Sequence, residues 1–164
     1  MTHEVPESGS PRGMSIVPVD HPSLGGDVDR FLAVLRAEPR YFGPSAKANP
    51  KPFPSLIEAL GERSGFRLAA IEAGRVIGMC RVDRSGELHV AVVAGRRGEG
   101  IGNLLAGAAL RRAAELHYPV VTARSTRRST AMLRLCEQFG CTVIELDRGR
   151  TELILKPAFL ARTA

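Results

Sequence analysis

The sequence predicts an α+β fold, in which helices pack on a mixed, mostly antiparallel sheet within a single domain. Three observations carry this prediction. The chain has 164 residues, enough for one hydrophobic core. Between Phe66 and Ala94 three extended apolar runs follow one another, separated by short Gly-containing turns. From Ile101 onward helical and extended patterns alternate, giving the order strand, two helices, three antiparallel strands, helix, strand, helix, two strands.

Each element has a local reason. Met1–Gly13 is rich in Pro, Gly, Ser and charge and reads as a disordered tail, leaving 14–164 as the folded domain. Met14–Val19 suits a short first strand. Asp27 is placed to cap a helix whose apolar residues Val28, Phe31, Leu32 and Leu35 follow helical spacing, and Pro39 ends it. Gly43–Pro54 holds four prolines and predicts a long irregular loop. Ser55 and Glu58 suggest a capping box for a second helix running to about Arg63. Phe66–Ala73 and Val76–Asp83 form a hairpin around Ala73-Gly74, and Ser85-Gly86 turns the chain into a third run, Glu87–Ala94. Ile101–His117 is helical, Pro119–Ala123 a short buried-type strand, and Thr130–Phe139 an amphipathic helix closed by Gly140. Cys141–Leu146 and Thr151–Leu155 are strands around Asp147-Arg148-Gly149.

Composition narrows the function. A hydrophobic fraction of 44% is ordinary for a globular domain. No apolar stretch approaches the ~20 residues that span a bilayer, so no membrane partner is expected. The polar N-terminus has no apolar signal-peptide core. Cys80, Cys136 and Cys141 are odd in number and form no C-x-x-C pair, so neither a disulfide framework nor a metal site such as zinc is indicated. A cytoplasmic location is the simplest expectation. The net charge of +6 favours an anionic partner. Scattered arginines and only 5% aromatic residues argue for a phosphorylated small molecule over nucleic acid.

The chemistry concentrates in Arg96-Arg97-Gly98-Glu99-Gly100-Ile101-Gly102-Asn103, which follows a strand and opens a helix. Glycines let the backbone approach a ligand and adopt positive φ. The first N–H groups of a helix have no internal partners and sit at the positive end of its dipole, so the segment forms a pyrophosphate cradle. Arg96 and Arg97 add attraction for phosphates. A dinucleotide fold would need a parallel sheet and an acidic residue about 20 positions on, and a P-loop would need Gly-Lys-Ser/Thr; neither is present. A tight strand-to-helix connection without a ligand is the bland alternative.

With Arg97, Gly100 and Gly102 the segment resembles the acetyl-CoA signature, Arg/Gln-x-x-Gly-x-Gly/Ala, of the GNAT superfamily of N-acetyltransferases. The element order after Gly13 is also similar. Glu87, the signature and Met132-Leu133-Arg134-Leu135 look more narrowly like the catalytic domain of bacterial protein-lysine acetyltransferases. The resemblance implies acetyl-CoA as cofactor. Backbone N–H groups from Arg97, Gly98, Glu99, Gly100, Ile101 and Gly102 would hold the pyrophosphate, with Asn103 close by. The pantetheine arm would follow Ala91, Val92 and Val93, where the strand splays from Pro119–Ala123, and an N–H near Val92 would bind the thioester carbonyl. Ser129 and Met132 would contact the cofactor. Ser129 stands where the family usually has Asn, and Cys136 where it often has a leaving-group tyrosine.

An attacking amine must be neutral, and lysine with a pKa of about 10.4 is mostly protonated at neutral pH. A base is therefore needed. The resemblance makes Glu87 that base; a solvent-facing Glu after a turn is the alternative. His89 shares its strand face and serves as an assistant or as a wall residue. Tyr41, Phe42, Pro44 and Phe53 are candidates for the acceptor site or for local packing, and Glu58 and Glu62 for an acidic groove. These features predict acetyl transfer to a primary amine, with a protein lysine preferred, for example on an acyl-CoA synthetase. The alternatives are a small polyamine or antibiotic acceptor, and a non-catalytic module that senses acyl-CoA. The oligomeric state is open.

Overall fold

The computed structural model describes residues 13–38, 53–125, 134, 137–146 and 150–157. Seven strands carry the fold: β1 (Met14–Pro18), β2 (Phe66–Glu72), β3 (Arg75–Val82), β4 (Leu88–Val92), β5 (Val121–Ser125), β6 (Cys141–Leu146) and β7 (Arg150–Leu155). The helices are α1 (Asp27–Arg36), α2 (Phe53–Gly61) and α3 (Ile101–Glu115), and residues 134 and 137–139 are helical as well. The order agrees with the sequence reading. Strands pair antiparallel as β1-β2-β3-β4 and as β5-β7-β6. The two sheets meet at a single parallel bridge, Glu87 with Thr122, where the Thr122 N–H donates to the Gly86 carbonyl at 2.9 Å.

Two cores flank the first sheet. On one face Leu68, Cys80, Val82 and Leu88 pack against Ile101, Leu105, Ala109 and Leu110 of α3, together with Val121 and Leu153 of the second sheet. On the other face Ala69, Val76, Met79 and Ala91 pack against Phe31, Leu32 and Leu35 of α1 and Ile57 and Leu60 of α2. Gly78 permits the close seat of α3, because a Cβ there would lie 2.9 Å from Leu105 Cδ1. Small residues at Ala106 and Ala109 serve the same contact, and both are fully buried.

Local capping differs from the sequence expectation. Asp27 is the first residue of α1, not its cap: Gly26 occupies the N-cap and no side chain caps the helix. The Asp27 carboxylate instead accepts the Val76 N–H at 2.6 Å and pairs with Arg30, tying α1 to the start of β3. That bond satisfies a strand-end donor as well as a cap would satisfy a helix donor. The helix stops at Arg36, before Pro39. Likewise α2 begins at Phe53, so Ser55 lies inside it and the proposed capping box does not form the helix start. Pro54 sits in the first turn, where its missing N–H costs nothing.

The far end of α2 is held by Arg81, which is 3% exposed. Its guanidinium donates to the Ala59 and Ser64 carbonyls, both at 2.9 Å, and to Ser64 Oγ at 2.7 Å, with Glu62 alongside. A buried cation with these four hydrogen bonds ties the end of α2 to β3. Cys80 is a buried free thiol, and burial pushes it up to about 12, so it is no nucleophile. Cys141 is disulfide-bonded, which corrects the reading of the cysteines as unpaired. No described helix is long and apolar enough to cross a membrane.

Candidate functional site

The site lies where β4 parts from β5. The ladder between β3 and β4 is phased by two bonds: Asp83 N–H to the Glu87 carbonyl at 3.1 Å, and Val93 N–H to the Ile77 carbonyl at 3.0 Å. In an antiparallel pair the bonded positions alternate, so His89 and Ala91 also direct their backbone groups to β3. The N–H and C=O groups of Val90 and Val92 therefore point the other way, toward β5. Beyond the bridge at Glu87 the two strands make no ladder among the described residues, and the edge of β4 stays open. The expected splay is thus present. Of the expected Ala91, Val92 and Val93, Ala91 turns its backbone groups to β3, while Val93 donates its N–H to Ile77 and accepts the Arg96 N–H on its carbonyl, so only Val92 of the three offers an open edge. Val90 was missed. Counting in twos from the Ser85-Gly86 turn would have found it, since the turn sets the phase.

At the C-terminal end of β4 the chain passes through a 3₁₀ turn, Ala94–Arg96, and enters α3. Gly98 and Gly100 have φ of +82° and +83°, a region that favours glycine. Gly100 is the N-cap of α3, with no side-chain cap and no acidic residue in the first turn, so no group of the helix competes for its first N–H donors. A Cβ at Gly95, Gly98 or Gly100 would meet nothing within 4 Å, so the space over the turn is open to a ligand. Gly102 lies over β4, its ideal Cβ 3.9 Å from Val90 Cγ1 and 4.0 Å from Val92 Cγ2, which sets the helix N-terminus above the open strand edge. Ile101 is buried and anchors this turn in the core.

The arginines behave differently from the sequence expectation. Arg96 pairs with Glu72 and with Glu99, the latter at 2.7 Å. Arg97 pairs with Glu38 at 2.6 Å, and the other Glu38 carboxylate oxygen is buried with no hydrogen-bond partner. Both guanidinium groups are thus held by carboxylates from β2, from Glu38 just after α1 and from the turn itself. They brace the turn, which leaves the backbone N–H groups and the helix dipole as its unengaged positive groups.

At the closed end of the wedge sits a second group. Asp83 Oδ1 accepts the Ser85 N–H at 2.9 Å, the Ser85 hydroxyl at 2.6 Å and the Glu87 N–H at 3.0 Å. Burial raises this carboxyl, but the donors from Ser85 and Glu87 outweigh it and leave Asp83 below the usual carboxylate range. One side-chain oxygen or nitrogen from each of Asp83, Glu87 and His89 lies within 4.8 Å of the other two. Arg124 of β5 reaches Glu87 at 3.9 Å and Glu152 at 3.3 Å from the opposite wall. Asp83 escaped the sequence reading, although Asp-Arg-Ser-Gly is a recognisable side-chain-stabilised turn. Ser129, Met132 and Cys136, with Tyr41, Phe42 and Pro44, lie outside the described residues.

Residues 31–146 match the model of the acetyltransferase (GNAT) family. The chain belongs to the GNAT acetyltransferase family. The open glycine turn and the uncapped start of α3 lie within the matched residues. Solved structures agree on the fold. The GNAT domain of S. lividans PAT is 17% identical with a TM-score of 0.63, over 86% of this chain and 89% of that one. A GNAT family acetyltransferase from Elizabethkingia anophelis with acetyl-CoA bound is 16% identical, TM-score 0.54, over 89% and 99%. A cAMP-binding acyltransferase from Mycobacterium smegmatis is 27% identical, TM-score 0.54, over 89% of this chain and 45% of that one. No curated protein matches the chain.

Proposed function

We propose that this GNAT protein transfers the acetyl group of acetyl-CoA to a primary amine by direct attack in a ternary complex, with Glu87 as general base and a protein lysine as acceptor. The observation that carries the reading is the arrangement along one strand. The glycine turn lies at one end of β4, the open-edge backbone groups of Val92 and Val90 follow, and Glu87 stands at the closed end. The pyrophosphate rests on the N–H groups between Arg97 and Gly102, with Asn103 in the same first turn. The open edge of Val92 takes the pantetheine arm.

Strand rise then refines the oxyanion donor. At about 3.3 Å per residue, Glu87 is roughly 16 Å from Val92 but roughly 10 Å from Val90. A carboxylate acting through one water reaches an amine seated beside Val90 and not one beside Val92. The thioester carbonyl is therefore assigned to the Val90 N–H, and Val92 is assigned to the arm. Glu87 is a quarter exposed, open enough to meet an incoming side chain. A lysine acceptor is supported by the resemblance to protein-lysine acetyltransferases and by the carboxylates Asp83, Glu87 and Glu152 grouped near the bridge between β4 and β5. A cytoplasmic location follows the same reading.

Calorimetric titration of acetyl-CoA into the protein and its Glu87→Gln and Gly100→Glu variants tests this, followed by assay on polylysine and spermidine. Micromolar binding should survive Glu87→Gln and vanish with Gly100→Glu. Transfer should fall 10²- to 10⁴-fold in Glu87→Gln, the range for loss of a general base. Absence of binding by the unmodified protein would sink the reading. Turnover of spermidine without polylysine would replace the lysine acceptor by a small amine, and binding with no turnover of either would leave an acyl-CoA sensor.

A further inference from the structure

Resting on the acetyltransferase reading, we propose that Asp83, Glu87 and His89 form one proton-sharing unit, in which His89 holds the proton that Glu87 takes from the amine and Asp83 positions both. The geometry comes from the turn between β3 and β4. Three donors fix Asp83 Oδ1, among them the Glu87 N–H, so the Asp83 carboxylate sets where the Glu87 backbone starts. Its second oxygen, Oδ2, stands 3.8 Å from His89 Nε2. Glu87 and His89 are two residues apart on one strand and share a face. The gap of at most 4.8 Å between their polar atoms suits a single bridging water. The His89 side chain is 15% exposed, so its exchange with bulk water is restricted and its partners are defined.

The other charged groups around the unit do not interrupt it. Arg81, the cross-strand partner of His89, turns its guanidinium to the end of α2, where Glu62 offsets it. Arg124 stands on the opposite wall and is shared between Glu87 and Glu152. The imidazole therefore sits next to two carboxylates, with Arg81 drawn off to α2 and Arg124 shared.

Such a unit answers a proton problem that one carboxylate leaves open. An acceptor ammonium loses two protons as the C–N bond forms and the C–S bond breaks. One proton ends on the departing thiolate and the other must reach solvent. A lone carboxylate is a weak base for an ammonium, and an imidazole is a stronger one. Glu87 accepts it at the amine, the bridging water passes it to His89, and Asp83 stabilises the imidazolium. Asp83 is a positioning residue throughout.

The test is the His89 ring titration by NMR in the protein saturated with acetyl-CoA, assigned among the four histidines with a His89→Gln variant. Even with water-like screening, a unit charge within 4.8 Å shifts a neighbour by about half a pH unit. Glu87→Gln and Asp83→Asn should each lower the His89 midpoint by at least that much, because each removes a charge that favours imidazolium. On polylysine, His89→Gln should lower kcat about 10- to 100-fold and flatten the acid limb of the pH profile, leaving the KM for acetyl-CoA unchanged. A His89 midpoint indifferent to Glu87→Gln overturns the proposal, as does full kcat in His89→Gln. If the unmodified protein acetylates neither polylysine nor spermidine, the acetyltransferase reading fails, and the titration still decides whether the three groups share protons.

Discussion

The junction between the two sheets can be tested with one methyl group. Gly86 has a φ of +91°, and an ideal Cβ there would lie 2.5 Å from the Val120 carbonyl oxygen. That is about 0.8 Å inside the closest ordinary C···O approach of about 3.3 Å. The obstacle is backbone, so relief requires β5 to move away from β4. Movement endangers the Thr122 N–H bond to the Gly86 carbonyl. Gly86→Ala should therefore cost about 1–2 kcal/mol for positive φ and about 1 kcal/mol for the lost bond, roughly 3 kcal/mol in all with the residual clash. For a chain of this size that is a drop of about 6–12 °C in Tm. Gly74→Ala is the internal reference, since Gly74 has a φ of +75° with nothing within 4 Å of its Cβ. It should lose only the φ cost, about 1–2 kcal/mol. Urea denaturation of both variants separates the two contributions, and calorimetry reads whether a displaced β5 also weakens acetyl-CoA binding. If Gly86→Ala costs no more than Gly74→Ala and binds acetyl-CoA normally, the bridge does not set the wedge.

Other parts of the structure make separate demands. Gly78→Ala should destabilise by about 1–3 kcal/mol in denaturant titration, because its Cβ would press Leu105 within a filled core. Asp27 is held below its ordinary pKa, chiefly by the Arg30 hydrogen bond, with burial opposing and the Val76 N–H assisting. Its stabilisation is therefore complete above the unfolded value of about 3.9 and is lost as pH falls through the lower folded value. Asp27→Asn should lose about 2 kcal/mol at pH 7, and its deficit against the parent should shrink as pH falls below the unfolded value of about 3.9, read by urea midpoints at each pH. Glu38→Gln releases Arg97 beside the pyrophosphate turn. Acetyl-CoA should then bind about fivefold tighter at low salt in calorimetry, with the gain fading near 1 M salt; an unchanged Kd would mean Arg97 does not face the phosphates.

Much of this was legible in the sequence because the signals are local. The Ala73-Gly74 turn marks the β2–β3 hairpin and Ser85-Gly86 the β3–β4 hairpin, but a bulge between Ala70 and Ile71 shifts the first register by one residue, so Leu68 opposite Cys80 could not be counted from the turn. The Gly98 to Gly102 spacing specifies a positive-φ entry into α3 without reference to any other element. Asp27 was read as the N-cap of α1, whereas its carboxylate accepts the N–H of Val76, 49 residues away. No local pattern distinguishes that bond from an N-cap.

The sequence by itself determined the element order, the fold class, the glycine turn and Glu87 at the head of its strand. These depend on periodicity and on backbone conformations that few residues tolerate. Only the tertiary structure decided which backbone groups of β4 are left open and which charges are paired. Val90 and Val92 are open, and Ala91 is not, because pairing with β3 consumes alternate groups. Arg96 and Arg97 are braced by Glu72, Glu99 and Glu38, carboxylates that sequence distance conceals. Asp83 gathers Glu87 and His89 because a turn folds a strand end back on its neighbour. Hydrogen-bond phase and ion pairing join residues across space, and one-dimensional spacing holds only the local part of that information.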